Sequence, residues 1–150
     1  MKKIKVGNFD ISNDNPFILI AGPCVIESRD HAMNIAEKIN SICDHENVNF
    51  IFKASFDKAN RTNIKSERGL GLEQSLNIFS EIKDNFKCPI LTDVHSELQC
   101  DHLQNNEIID IIQIPAFLCR QTDLLIAAGK TNKIVNVKFL FSCNCHPLYQ

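Results

Sequence analysis

Short apolar runs alternate with stretches of helical periodicity along most of this chain. The runs predict five strands buried on both faces, because their apolar residues are continuous. They lie at residues 17–21, 50–52, 89–94, 108–114 and 134–137. Between them, apolar residues recur every three or four positions and predict four helices. The first follows Ser28, a plausible N-cap, and the others lie at residues 72–86, 97–104 and 123–128.

This βαβα alternation is typical of a parallel sheet covered by helices, so the predicted class is α/β. Neither a G-x-G-x-x-G motif nor a Walker A motif follows a strand, and these are the usual nucleotide-binding signatures of open sheets. Their absence favours a closed barrel over a doubly wound sheet. Residues 4–6 and 9–11 alternate around Gly7-Asn8 and predict an N-terminal β-hairpin at one end of the barrel.

Composition narrows the classes of partner. The 150 residues are 44% hydrophobic and 23% charged, which is typical of one globular domain. Sixteen Lys and Arg against eighteen Asp and Glu give a net charge of −2, so nothing global favours nucleic acid or an anionic membrane. No apolar run has the length of a membrane span and the N-terminus lacks an apolar signal region, so we expect a cytoplasmic protein.

The chain contains seven cysteines, an odd number at irregular spacing. In a reducing compartment this pattern predicts free thiols or metal ligands, not a disulfide framework. Cys143, Cys145 and His146 crowd three potential ligands into four residues. A small Cys/His metal protein is therefore one alternative, although zinc sites normally pair such a cluster with a second one.

Polar and reactive residues collect where the predicted strands end. They are Cys24, Glu27, Lys53, Ser55, Asp57, Lys58, Asp93, His95, Gln113, Pro115, Asn136 and Lys138. In parallel α/β folds the carboxyl ends of the strands form the substrate-binding edge, so five strands agree on one candidate site.

The segment at residues 52–63 (FKASFDKANRTN) is the densest of these. Its cations Lys53, Lys58 and Arg61 favour a phosphorylated or carboxylated substrate. The alternative is a solvated basic loop balanced by Asp57. Asn60 adds a hydrogen-bond donor to the same segment.

Asp93 and His95 lie two residues apart and suit general acid/base or metal chemistry. Arg120 begins the helix after the fourth predicted strand, where its guanidinium is suited to an anion. His31, His45 and His102 lie in polar surroundings and are interpreted as surface residues.

Five motifs together resemble the 3-deoxy-D-manno-octulosonate 8-phosphate (KDO-8-phosphate) synthases. They are AGPCVIES at 21–28, FKASFDKANR at 52–61, TDVH at 92–95, IQIPAFLCRQTDL at 112–124 and NVK at 136–138. The related 3-deoxy-heptulosonate 7-phosphate synthases share the first motif but not the K-A-N-R loop in this form. They remain an alternative, as does a non-catalytic phosphosugar-binding remnant.

The resemblance implies a (β/α)₈ TIM barrel, of which only about the first five strands are present here. The family's barrel is usually a homotetramer, and it condenses phosphoenolpyruvate with D-arabinose 5-phosphate and water in lipopolysaccharide biosynthesis. The catalytic residues it implies are Asp93, Lys58 and Lys138. The substrate-binding residues it implies are Lys53, Lys58, Asn60, Arg61, Asp93, Gln113, Arg120 and Lys138. Among these, the lysines would surround phosphoenolpyruvate, Asn60 and Arg61 would bind the sugar phosphate, and Arg120 would reach the substrate of a neighbouring subunit.

The same resemblance divides metal-independent members, with Asn at the first motif, from metal-dependent members with Cys. Cys24 therefore resembles a ligand of zinc, iron or manganese, with the family's other ligands beyond the part of the family that this chain matches. After Lys138 the sequence departs from the family pattern. We interpret residues 1–138 as the N-terminal part of a synthase barrel and residues 139–150 as an aberrant tail, and we expect instability and inactivity of the chain alone.

Overall fold

A computed structural model describes residues 3–58 and 68–139 of the chain. Strands β1 (Ile4–Val6) and β2 (Phe9–Ile11) form an antiparallel hairpin. A five-stranded sheet follows, and its strands are β3 (Leu19–Ala21), β4 (Phe50–Lys53), β5 (Ile90–Asp93), β6 (Ile111–Ile114) and β7 (Ile134–Val137). The helices are α1 (Arg29–Glu46), α2 (Leu72–Phe86), α3 (Glu97–Leu103) and α4 (Thr122–Lys130). A short 3₁₀ helix, Ala116–Leu118, follows β6.

Strand order distinguishes between the two α/β architectures. The five strands lie in the sheet in their chain order, and every neighbouring pair is parallel. A doubly wound sheet reverses its strand order at a switch point, whereas a (β/α)₈ barrel advances in one direction. The sheet is thus a curled part of a barrel. The predicted α/β class, the barrel type and the N-terminal hairpin are confirmed.

Each strand separates two apolar layers, because successive side chains point to opposite faces. Phe52 and Ile112 face the helices and pack into the larger core with Phe79 of α2. The inner layer contains Ile51, Leu91 and Ile111, packed against Val6 of the hairpin. The hairpin therefore closes one end of the sheet's concave face and leaves the other end for polar residues.

The observed boundaries follow the predicted ones with differences that have local causes. Residues 72–86 and 134–137 were predicted without error. The strand predicted from residue 108 begins at Ile111 because Asn106 Oδ1 accepts the backbone N–H groups of Ile108 and Ile109. The strand predicted from residue 17 begins at Leu19, and Phe17 is exposed.

The predicted N-cap of α1 is also confirmed. The Ser28 hydroxyl accepts the backbone N–H of His31 at 3.2 Å. His31, His45 and His102 are exposed, as the sequence predicted. Within residues 3–58 and 68–139, no helix is long and apolar enough to cross a membrane.

Gly22 fixes the spacing between the end of β3 and β4. Its φ is 155°, and a Cβ at this position would overlap the Lys53 carbonyl oxygen. The two backbone segments approach this closely only because glycine has no side chain. Gly22 thus brings the first motif against the strand that carries Lys53.

We predict that Gly22→Ala lowers the free energy of unfolding by about 2 to 3 kcal/mol, because the new methyl group must displace the backbone of β4. Gly129→Ala is the matched control. Gly129 lies in α4, and a Cβ there meets no atom within 4 Å. In a helix the same change should raise stability by about 0.5 to 1 kcal/mol. Urea titrations of both variants measure the effects, and equal shifts would refute the close-approach argument.

Candidate active site

A cavity of about 370 Å³ lies where the sheet strands end. Lys53 and Asp93 are the last residues of β4 and β5, Gln113 lies within β6, and Lys138 directly follows β7. The lining residues are Lys53, Lys58, Asp93, His95, Gln113, Pro115, Ala116, Phe117, Leu118 and Lys138. Four neighbouring strands therefore contribute to one site, as their carboxyl ends predicted.

The strand register places several of these side chains at one level. Asp93 pairs with Gln113 across β5 and β6, and Gln113 pairs with Asn136 across β6 and β7. The Asn136 amide donates to Gln113 Oε1 at 3.1 Å. This bond orients the Gln113 side chain, whose own N–H groups remain suited to an acceptor in the cavity.

Two of the lysines share one acceptor. Lys53 Nζ donates to Ser55 Oγ at 3.1 Å, and Lys58 Nζ donates to the same oxygen at 2.7 Å. Burial lowers the pKa of Lys53, and the charges of Lys58 and Lys138 lower it further, against the opposing charges of Asp93 and Cys24. The cavity thus holds desolvated positive charge, which an anionic ligand would stabilise.

Asp93 supplies the negative charge of the site and is only 5% exposed. Burial alone would raise its pKa, but hydrogen bonding with His95 and Ser55 and the charge of Lys53 lower the pKa of Asp93 to about 2. His95 Nε2 lies 3.4 Å from Asp93 Oδ2. Asp93 therefore remains a carboxylate at neutral pH.

Two buried polar atoms of this pair have no hydrogen-bond partner in the described part of the chain. They are Asp93 Oδ1 and His95 Nδ1. Buried polar atoms are normally paired, because an unpaired one costs about 1–3 kcal/mol. Both residues line the cavity, so a polar ligand would supply the partners.

The structure brings together five of the catalytic and substrate-binding residues that the resemblance implies, in addition to His95 and Pro115. Lys53, Lys58, Asp93, Gln113 and Lys138 line the same cavity. Asn60 and Arg61 lie outside the described residues, as do Cys143, Cys145 and His146.

Arg120 is exposed and is absent from the cavity lining that the described residues form. Asp57 does not balance the cavity lysines, because it accepts two hydrogen bonds from Arg68, at 2.9 and 2.6 Å. Among the described residues that line the cavity, Asp93 is the carboxylate that opposes the cations.

Sequence reasoning missed the apolar wall of the cavity. Phe117 and Leu118 line it from the 3₁₀ helix after β6, and Phe117 is 77% exposed. Their residue types do not distinguish them from core residues. Pro115 at the end of β6 was the available signal, since it ends the strand and begins the turn that carries both.

Cys24 has an exposed side chain that lies close enough to Lys53 to affect the pKa of that lysine, so it lies near the cavity. A metal site needs several such ligands, and three is the usual protein contribution to a catalytic zinc site. Within residues 3–58 and 68–139, no group of three or more His, Cys, Asp or Glu side chains is arranged to hold a metal ion. The described residues therefore do not complete a metal site around Cys24.

Comparisons with known proteins match most of the chain. A family model described as the DAHP synthetase I family matches residues 2–142. The chain is similar to the 2-dehydro-3-deoxyphosphooctonate aldolase of Rickettsia prowazekii, with 58% identity over 139 residues, 92% of this chain and 50% of the relative. The proteins of the same name from Rickettsia felis and Bartonella henselae are 58% and 56% identical, over 91% and 90% of this chain and 49% and 48% of their own lengths.

The chain thus spans about half the length of the curated relatives it matches. Because the match to the family model spans the chain from the hairpin to the last strand, the chain belongs to the DAHP synthetase I family.

Proposed function

We propose that this chain carries the anion-binding part of an active site that condenses phosphoenolpyruvate with D-arabinose 5-phosphate and water. The products would be 3-deoxy-D-manno-octulosonate 8-phosphate and phosphate, in lipopolysaccharide biosynthesis in the cytoplasm. The observation that carries this proposal is the convergence of Lys53, Lys58 and Lys138 with Asp93 on one cavity. The relatives are named 2-dehydro-3-deoxyphosphooctonate aldolases, which favours the octulosonate over the heptulosonate reaction.

Charge supports phosphoenolpyruvate as the ligand of the lysines. The molecule carries a carboxylate and a phosphate on adjacent parts of a small frame, and three ammonium groups match two such anions. The protein's net charge is −2, so this attraction is a property of the cavity and not of the whole surface. Gln113 and the backbone near Ala116 would complete the contacts to the same ligand.

The proposed reaction moves charge toward these cations. C3 of the enol attacks the aldehyde carbon of the sugar, water adds at C2, and the C–O bond to the phosphate then breaks. Negative charge grows on the departing phosphate, where Lys58 and Lys138 would stabilise it as fixed positive groups. Asp93 would remain ionised and accept hydrogen bonds from the sugar hydroxyls.

The second substrate would be bound by Asn60 and Arg61, with Arg120 contributed by a neighbouring subunit of a homotetramer. The exposed position of Arg120 outside the cavity lining of the described residues is compatible with that role.

We also propose Cys24 as one ligand of a divalent ion, with the other ligands supplied from outside the described residues. A cysteine thiolate is a soft ligand that suits zinc or iron, and manganese is the third ion that the resemblance implies.

Removal of one cavity cation tests the proposed ligand. We predict that Lys58→Met weakens the binding of phosphoenolpyruvate by about tenfold or more, because a charge-assisted contact contributes about 1.5–3 kcal/mol. Calorimetric titration of the folded full chain measures the affinity. Lys38→Met removes the same charge from an exposed position on α1 and should bind as the wild type does. Equal affinities for the two variants would contradict the assignment of the cavity.

The loss of folding stability at acid pH tests whether Asp93 is ionised in the folded protein. Its pKa falls from 3.8 to about 2 on folding, so the carboxylate stabilises the fold above pH 4 and this contribution is lost as the pH falls through 2. Between pH 5 and 2 the wild type should lose about 2 kcal/mol more stability than Asp93→Asn.

Denaturant titrations at several pH values measure this difference. Asp101→Asn, at an exposed position on α3, is the control and should keep the acid dependence of the wild type. If Asp93→Asn also keeps that dependence, the described ionic environment of Asp93 is wrong.

Thiol protection tests the metal proposal without an activity assay. We predict that Zn²⁺ slows the alkylation of Cys24 by a maleimide, because a coordinated sulfur is a poorer nucleophile. Cys119 is partly exposed and provides the internal comparison. Mass spectrometry reports both rates in one sample. Equal slowing of the two cysteines would argue against Cys24 as a ligand.

A further inference from the structure

One hydroxyl group lies between the two neighbouring ammonium groups of the cavity. Ser55 Oγ accepts from Lys53 Nζ at 3.1 Å and from Lys58 Nζ at 2.7 Å. Ser55 itself has no solvent exposure. Water therefore does not screen the two cations at the atom that they share.

The chemistry of a hydroxyl determines what this arrangement requires. A serine oxygen has two acceptor sites and one O–H donor. Both acceptor sites face the lysines, so the proton points away from the two positive charges. Asp93 is the anion beside it, and hydrogen bonding with Ser55 helps to lower the pKa of Asp93. Ser55 thus connects the two cations to each other, and the buried carboxylate of Asp93 lines the same cavity.

The backbone holds this hydroxyl at a fixed place. Ser55 forms a parallel bridge with Val25, and its carbonyl accepts the N–H of Ile26 at 2.9 Å. Lysine side chains are long and lose much rotamer freedom when they are held in place. A rigid acceptor between two flexible ammonium groups sets their separation before a ligand arrives.

We propose that Ser55 is a positioning residue that holds the ammonium groups of Lys53 and Lys58 at the separation needed by a ligand with two anionic groups. This inference rests on the proposed function for the identity of that ligand, phosphoenolpyruvate. Ser55 itself does not touch the reacting atoms. It acts through the two lysines, whose ammonium groups it holds.

Replacement of the hydroxyl tests this role. Ser55→Ala should weaken the binding of phosphoenolpyruvate by about tenfold, since a hydrogen bond to a charged group contributes about that factor. It should also lower the pKa of Lys53, because the charged form loses an acceptor. NMR titration of lysine side chains in the full chain measures this change, with the Lys53 signal assigned from a Lys53→Arg variant.

Ser75→Ala is the matched control. Ser75 lies in α2 without solvent exposure, its hydroxyl has no partner within the described residues, and it is absent from the cavity lining. It should leave both the affinity and the Lys53 titration unchanged. If Ser55→Ala does not fold, Ser55→Cys takes its place, because sulfur fills the site but is a weak acceptor.

The outcomes separate this inference from the proposed function. If the wild type binds phosphoenolpyruvate and Ser55→Ala binds it as tightly as Ser75→Ala does, the role of Ser55 is overturned and the proposed function stands. If the wild type does not bind phosphoenolpyruvate, the proposed function fails and the lysine titration decides for Ser55. An unchanged Lys53 titration in Ser55→Ala then overturns the positioning role, and a lowered pKa supports it.

Discussion

The parallel register of the strands is the constraint on which the rest of this structure depends. Because β5, β6 and β7 run in one direction with matched residues, Asp93, Gln113 and Asn136 lie side by side. The alternation of each strand then separates an apolar inner layer, such as Leu91 and Ile111, from the polar residues two positions later. A slip of one residue would send the same polar side chains into the helix-facing core.

Burial of charge explains the character of the cavity. Burial and the neighbouring cations lower the pKa of Lys53. Hydrogen bonds and the charge of Lys53 lower the pKa of Asp93, which therefore stays ionised. Isolated buried charges are costly, so each must be paired or bound to a ligand. Ser55 accepts from both lysines, and within the described part of the chain Asp93 Oδ1 and His95 Nδ1 have no partner, which leaves capacity for a polar molecule.

Much of the fold and part of the site could be predicted from local sequence. The helix at 72–86 and the strand at 134–137 matched their patterns, because apolar periodicity reports which face is buried. A predicted boundary was wrong where a side chain binds nearby backbone groups, as Asn106 does ahead of β6. The pairing of Asp57 with Arg68, eleven residues away, was also missed, because ion pairing depends on the tertiary fold and not on spacing.

The sequence by itself determined the α/β class, the parallel strands, the N-cap at Ser28 and the set of polar residues at strand ends. These follow from local preferences and from a rule of parallel sheets that holds for any such chain. Only the tertiary structure decided the strand order that makes the sheet part of a barrel, the shared hydroxyl between Lys53 and Lys58, and the apolar wall at Phe117. Distances between side chains from separate segments depend on packing and register, which no local pattern encodes.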